Sequence, residues 1–405
     1  MNVILISPGF PAEMPLFTAG LARVGANVLG VGDQPEAALD PEVARSLTAY
    51  LQVGELWDES KTVPKVRDWV RGHEIGRVEC LWEPGMLLAA HLREALEVPG
   101  LTVAQTEPFR DKELMKQMLD ASGLRTPRHA CATTAEQMHE AAARIGYPLI
   151  VKPIDGAGSA DTYRIEDESE LEQAVELVRH IDAVSVEEYI EGEEFTFDTI
   201  CADGNILFEN IARYRPKPLM MRHGWVSPQS ICYRDIDRPE LRAGRELGHA
   251  VIKALGFKTG FSHMEWFLTP DGEAVFGEIG ARPPGARLVH AMNYSADIDL
   301  FTGWAEAVCT GHLSQDTDKP YNAAMVFKRA QGNGDRIARI EGLDSVLAHY
   351  GEHIVNIEMS PIGSARQDFR KVVVGDGWIV ARHPNLEVAL EIADHLANDV
   401  RVVAG

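Results

Sequence analysis

Residues 261–285 read FSHMEWFLTPDGEAVFGEIGARPPG, and the fold of the chain turns on how this stretch pairs with itself. Phe261–Leu268 and Glu273–Ile279 are apolar and rich in aromatics. Thr269–Gly272 between them is turn chemistry, with Pro270 second and Gly272 last. Two antiparallel strands joined by that turn place Leu268 opposite Glu273, Glu265 opposite Phe276 and His263 opposite Glu278. Side chains alternate along a strand, so His263, Glu265 and Glu278 share one face. In this register Glu265 and Glu278 are diagonal neighbours, roughly 7–8 Å apart at the backbone. Two carboxylates converging on one sheet face suit a hard divalent cation such as Mg2+. The alternative is a solvated polar face. His263 is expected to orient Glu278. Gly280, Arg282, Pro283, Pro284 and Gly285 then set a cation and a rigid bend beside the acids.

Upstream, Tyr147–Pro153 (YPLIVKP) reads as a strand that ends on Lys152, and Asp155–Ser159 (DGAGS) as a glycine-rich bend. Such a bend can turn the N–H groups of Gly156, Gly158 and Ser159 inward to hold phosphate oxygens; the alternative is a plain turn. No GK[ST] follows, so this is not a Walker A loop. Asp111–Gly123 reads as an amphipathic helix closed by glycine, with Lys112 at its head and Lys116 on its solvated surface. In Ser185–Thr199 (SVEEYIEGEEFTFDT) the acids alternate with Val186, Tyr189, Ile190, Phe195 and Phe197, which makes two strands about a bend at Gly192 rather than an acidic surface run. Tyr214–Cys232 reads as a long loop of the kind that covers a substrate, with His223 placed to meet an incoming amine or simply solvated.

The ends of the chain differ in character. Asn2–Ser7, a helix over Leu16–Gly25 and a strand over Asn27–Val31 open a doubly wound α/β unit without GxGxxG. Glu83 follows the strand Val78–Trp82, at the edge where open α/β sheets bind ligands. It is placed either to touch a substrate amine or to favour a helix N-terminus. Ser314–Lys319 reads as a linker. From Pro320 a separate small α+β unit is expected, in which Phe369–Val374 and Trp378–Arg382 form a hairpin about Gly375-Asp376-Gly377.

The formal net charge of −22 over 405 residues argues against a nucleic-acid groove, which needs surplus Lys and Arg. The five cysteines are far apart and read as reduced thiols of a cytoplasmic protein. MNVILIS starts a strand with no basic lead, so no signal peptide is expected. No apolar run reaches the ~18 residues of a membrane span.

With these motifs in order, the chain resembles the ATP-grasp superfamily over nearly its full length. The likeness implies α/β plus α+β architecture: a Rossmann-like N-terminal domain (1–108), an ATP-grasp domain (109–315, with subdomains about 109–188 and 189–315) and a small α+β C-terminal cap (320–405). It resembles most the ATP-dependent amino-acid (carboxylate–amine) ligases, with a biotin-carboxylase-like layout. That implies ATP and Mg2+, small-molecule carboxylic acid and amine substrates, and a homodimer among the assemblies such proteins form. By position, Lys112, Lys152, Gly156, Gly158 and Ser159 would hold phosphates. Glu187, Tyr189 and Ile190 would line the adenine and Glu194 the ribose, while Glu265 and Glu278 would bind metal. Arg282 would act at the transferred phosphoryl group with Lys152, and Arg287, Glu83 and His223 are candidates for substrate contact. Two departures stand out. Gly280 occupies a position where many members carry asparagine, which leaves the metal count at one or two. No Q-V-E-H follows Arg282, which disfavours biotin carboxylation. The rival readings are an ATP-grasp carboxylase or purine-pathway-type ligase acting on hydrogencarbonate or formate, and a nucleotide-binding protein without catalysis.

Overall fold

The computed structural model describes residues 1–155, 161–217, 220, 224–369, 372 and 374–405. Alternation and turn chemistry give strands in three groups. The first is a parallel sheet, ordered β3-β2-β1-β4, of β1 (Asn2–Ile6), β2 (Asn27–Gly32), β3 (Ala49–Gln52) and β4 (Arg77–Glu79). β1 buries four of its five residues, as a strand covered on both faces must. The second is an antiparallel sheet, ordered β5-β8-β6-β7, of β5 (His129–Ala132), β6 (Leu149–Pro153), β7 (Tyr163–Ile165) and β8 (Val184–Glu188). β3, β5 and β7 are too short to stand out by periodicity.

The remaining strands are β9 (Glu193–Ala202), β10 (Asn205–Arg215), β11 (Gln229–Cys232), β12 (Gly260–Leu268), β13 (Ala274–Gly280), β14 (Asn322–Lys328), β15 (Ile337–Glu341), β16 (Ile354–Met359), β17 (Gly377–His383) and β18 (Arg401–Ala404). All but β15 and β18, which pair with each other, form one eight-stranded sheet in the order β13-β12-β9-β10-β11-β14-β17-β16. The segment after Pro320 therefore extends this sheet through β11–β14 pairing and adds only the two-stranded β15–β18 pair as a sheet of its own. Hydrogen-bonding edges, unlike composition, join segments across a polar linker.

Three local expectations are corrected. β10 runs on to Arg215 and β11 begins at Gln229, so the connection expected over Tyr214–Cys232 is shorter at both ends. Of the strand expected over Phe369–Val374, residues 370, 371 and 373 lie outside the described residues and the rest are in no strand; β17 pairs instead with β14 and β16. The helix Leu288–Ala296, not expected from sequence, follows two left-handed residues, Ala286 and Arg287.

The main core lies between the first sheet and the large one. Helix Met14–Arg23 meets helix Leu300–Thr310, where Phe17 lies 4.9 Å from Phe301 and 5.4 Å from Trp304, ring to ring. On the opposite face of the large sheet, helix Arg242–Ala254 covers Phe195, Phe197, Met264 and Trp266. Burying one such side chain stabilises the fold by about 1.5–3 kcal/mol. Among the described residues, no helix is long and apolar enough to cross a membrane.

Candidate active site

The central hairpin carries a bulge that alters the expected register. Glu265 pairs directly with Glu278 and His263 with Gly280, and the register shifts between Glu265 and Trp266. Gly277 is the extra residue. A Cβ there would lie 2.8 Å from the Glu265 carbonyl oxygen, so only glycine fits without a shift. The two carboxylates are thus direct cross-strand neighbours, closer than the diagonal pair expected. His263 is correspondingly next to Glu265 (Nε2–Oε1 3.6 Å), not Glu278.

On the far side of the hairpin's two acids stand the lysines. Lys112 heads the helix Lys112–Ala121, whose N-cap Asp111 accepts from the N–H groups of Glu113 and Leu114. Its Nζ is 3.2 Å from Glu278 Oε1. Lys152, on β6, sits 3.0 Å from Glu187 on the neighbouring β8. Burial alone would depress the Lys152 ammonium, but Glu187, Glu278 and Glu265 hold it above its ordinary range. Lys116 corrects the sequence reading: it is fully buried, and its Nζ lies 2.8 Å from the other Glu187 oxygen. Its position four residues after Lys112, on the face that carries Met115 and Leu119, was the available signal. Burial raises the Glu187 carboxyl, yet the two lysines outweigh it and keep it ionised well below the usual range. Glu187 is therefore a counter-charge between two lysines.

The carboxylate side behaves differently. Glu194 is pushed well above the usual carboxylate range, first by burial and then by Glu265. Burial also acts on Glu265, but His263, Lys152 and Arg282 hold it below that range. His263 is pushed up to about 9: Asp198 and Glu265 overcome the opposing effect of burial. Crowded carboxylates with only partial neutralisation fit a hard divalent cation, and the half-exposed Glu265 and Glu278 (side chains 35% and 30% exposed) are the oxygens within its reach.

Arg282 leaves this hairpin for the first sheet. Its Nε and Nη2 donate to Glu83 Oε2 at 2.9 and 2.6 Å. Arg110 donates to the other Glu83 oxygen, and its Nη2 reaches the Asp155 carbonyl. Glu83 thus serves two guanidinium groups at the head of helix Met86–Leu96. Arg282 also accounts for Gly280: a Cβ there would sit 3.3 Å from Arg282 Cγ, in space an asparagine would contest.

Arg287 is left-handed at φ 63° and donates its N–H to Glu13 Oε2. Glu13 was not singled out from sequence. It is buried, its Oε1 has no partner among the described residues, and burial lifts it to about 7 against the pull of Arg287. Tyr189 and Ile190 form the connection between β8 and β9, with the Arg164 guanidinium 4.1 Å from the Tyr189 ring. A cleft of about 570 Å3 opens beside Glu194 and is also lined by Tyr214, Lys217 and Trp225. Gly156, Gly158, Ser159 and His223 lie outside the described residues.

Residues 145–288 match the family described as an ATP-grasp domain. The chain is 28% identical over 226 residues to an L-arginine-specific L-amino acid ligase of Bacillus subtilis, covering 54% of each. It is 34% identical over 200 residues to a D-alanine–D-alanine ligase of Xanthomonas axonopodis pv. citri, covering 48% of this chain and 57% of that one. The chain spans about half the length of the curated relatives it matches. The crystal structure of an L-amino acid ligase from Bacillus licheniformis superposes with TM-score 0.79 at 22% identity, over 100% of this chain and 98% of that one.

Proposed function

Because the chain carries an ATP-grasp domain in an ATP-grasp fold, we propose that it is an ATP-dependent carboxylate–amine ligase that joins an amino acid's carboxylate to an amine. The reading rests on one observation: two directly paired carboxylates, Glu265 and Glu278, face Lys112, Lys152 and Arg282 in a single cluster. The sequence relatives, an L-amino acid ligase and a D-alanine–D-alanine ligase by name, support it.

A carboxylate is a poor electrophile because its oxygen is a hopeless leaving group. Transfer of the ATP γ-phosphoryl group to it gives an acyl phosphate, from which an amine displaces phosphate. Such a transfer depends on neutralising and aligning the phosphoryl oxygens. Lys112 and Lys152 supply fixed positive charge, and Lys116 with Glu187 holds Lys152 in place. The segment at Tyr189 and Ile190 offers backbone groups to the adenine, with Glu194 at the ribose. Glu265 and Glu278 would hold Mg2+, which when bound supplies charge neutralisation at the phosphates. Arg282 presents a planar, two-pronged donor to the transferred group, its plane set by Glu83. Arg287 takes a substrate carboxylate. With both oxygens held by arginines, Glu83 supports Arg282 rather than the amine. Acyl phosphates hydrolyse, so the reaction calls for a water-excluding cover over the site.

The test is a phosphate-release screen of amino acids, singly and in pairs, with ATP and Mg2+. Release that requires an amino acid, with an amide product by mass spectrometry, supports the reading. Release triggered by hydrogencarbonate or formate alone reassigns the chain to the carboxylase or purine-type class. ATP binding without release under any acid leaves a nucleotide-binding protein.

A further inference from the structure

Behind the paired carboxylates runs a second row of polar side chains. In the large sheet, Asn210 on β10 pairs with Asp198 on β9, and Asp198 pairs with His263 on β12. The next row forward is Ala212, Thr196, Glu265 and Glu278. Directly paired residues point to the same face, so both rows lie on the site face, one behind the other. The rear row is sealed: Asp198 and Asn210 are fully buried and His263 nearly so. Burying a carboxylate is expensive unless both of its oxygens are answered. Asp198 meets that demand, with Oδ2 accepting from Thr196 Oγ1 at 2.8 Å and Asn210 Nδ2 at 3.0 Å, and Oδ1 facing His263 Nδ1 at 2.6 Å.

That last contact orients the ring. With Nδ1 committed to Asp198, the imidazole presents its Nε2 edge to Glu265 Oε1, 3.6 Å away. Tyr214 donates its hydroxyl to the same oxygen at 3.4 Å. Both neighbours fall on Oε1, so Oε2 is the oxygen offered to a cation. We infer that Asp198 is a positioning residue which, through His263, fixes the Glu265 carboxylate in the orientation that receives the divalent cation of the bound nucleotide. The inference rests on the metal role given above to Glu265 and adds its support: a buried acid on another strand, 67 positions earlier in the chain (265 minus 198), that never touches the metal. Groups that hold metal ligands in place are typically worth about 10- to 100-fold in metal affinity.

The experiment is Mn2+ titration, followed by electron paramagnetic resonance, of the full chain with a non-hydrolysable ATP analogue. It needs no knowledge of the acid or the amine. Asp198→Asn keeps the shape but loses the charge, and is expected to weaken Mn2+ binding about 10- to 100-fold. His263→Asn keeps a group at the Nδ1 position facing Asp198 but abandons Glu265, and is expected to weaken binding similarly. The double variant should bind no more weakly than either single one, because the two residues act as one unit. Unchanged Mn2+ affinity in either folded single variant, whatever its melting temperature, overturns the inference, as does full additivity. If Asp198→Asn does not fold, His263→Asn alone decides the matter. Failure of the parent protein to bind Mn2+ with the nucleotide overturns the metal reading instead, a result distinct from parent-like binding by the variants.

Discussion

The two sides of the site are built on opposite plans. One, on β6, β8 and the helix Lys112–Ala121, sets Lys116 and Lys152 about a single buried carboxylate, Glu187, while Lys112 reaches across to Glu278. The other, on β9, β12 and β13, gathers Glu194, Glu265 and Glu278, with Glu265 and Asp198 flanking a single imidazole, His263. The first keeps its carboxylate ionised, because Lys116 and Lys152 overcome burial at Glu187. The second does not: Glu194 is driven toward its protonated form by burial and by Glu265. A surplus of negative charge at half-exposed oxygens is where a cation is needed, which is the ground for the proposal that the hairpin holds the metal and the lysines the phosphates.

The contrast breaks most visibly at Glu278. Glu278→Ala is expected to cut ADP formation about 100-fold or more with the fold retained, by coupled-enzyme assay and circular dichroism. Turnover close to the parent level would mean that the acidic side is not where charge is neutralised. Lys116→Met tests the lysine side. It removes one of Glu187's two partners and is expected to cost about 3 kcal/mol in urea unfolding, the low end for a broken buried pair because Lys152 remains. A loss below about 0.5 kcal/mol would return Lys116 to the surface role read from sequence.

Gly277→Ala sharpens the comparison by disturbing only the acidic side. The added Cβ, 2.8 Å from the Glu265 carbonyl, should cost about 1–3 kcal/mol and weaken Mn2+ binding, while ATP analogue binding without metal changes less. The smallest effect concerns Glu13, a buried carboxylate outside both sides. Its folded pKa of about 7 exceeds the ordinary 4.5, so the folded chain binds more protons between these values. Its contribution to stability is full below about 4.5 and is lost as pH rises through about 7. Glu13→Gln should flatten that part of the stability–pH curve, seen by thermal melts across the range. An unchanged slope would show that Glu13 does not titrate there.

Much of this was legible in the chain itself. Val-Lys-Pro in an apolar strand, the acids interleaved with aromatics near Gly192, and the Thr-Pro-Asp-Gly turn each carry a local period that assigns an element and a face. Local period does not carry partners. Lys116 looked like a surface residue because its counter-charge, Glu187, lies 71 positions away. Glu83 could not be read as the support of Arg282 across 199 positions.

By itself, then, the sequence determined many of the longer strands, turns and helices and which acids of the central hairpin share a face, since steric alternation and turn preferences act over a few residues. Tertiary structure alone decided the register at Gly277, the burial of Lys116, the pairing of Asp198 with His263 and the continuity of the large sheet past Pro320. Those outcomes depend on which distant charges and strand edges meet once water is excluded, and the electrostatic cost of a mismatch exists only in the packed interior.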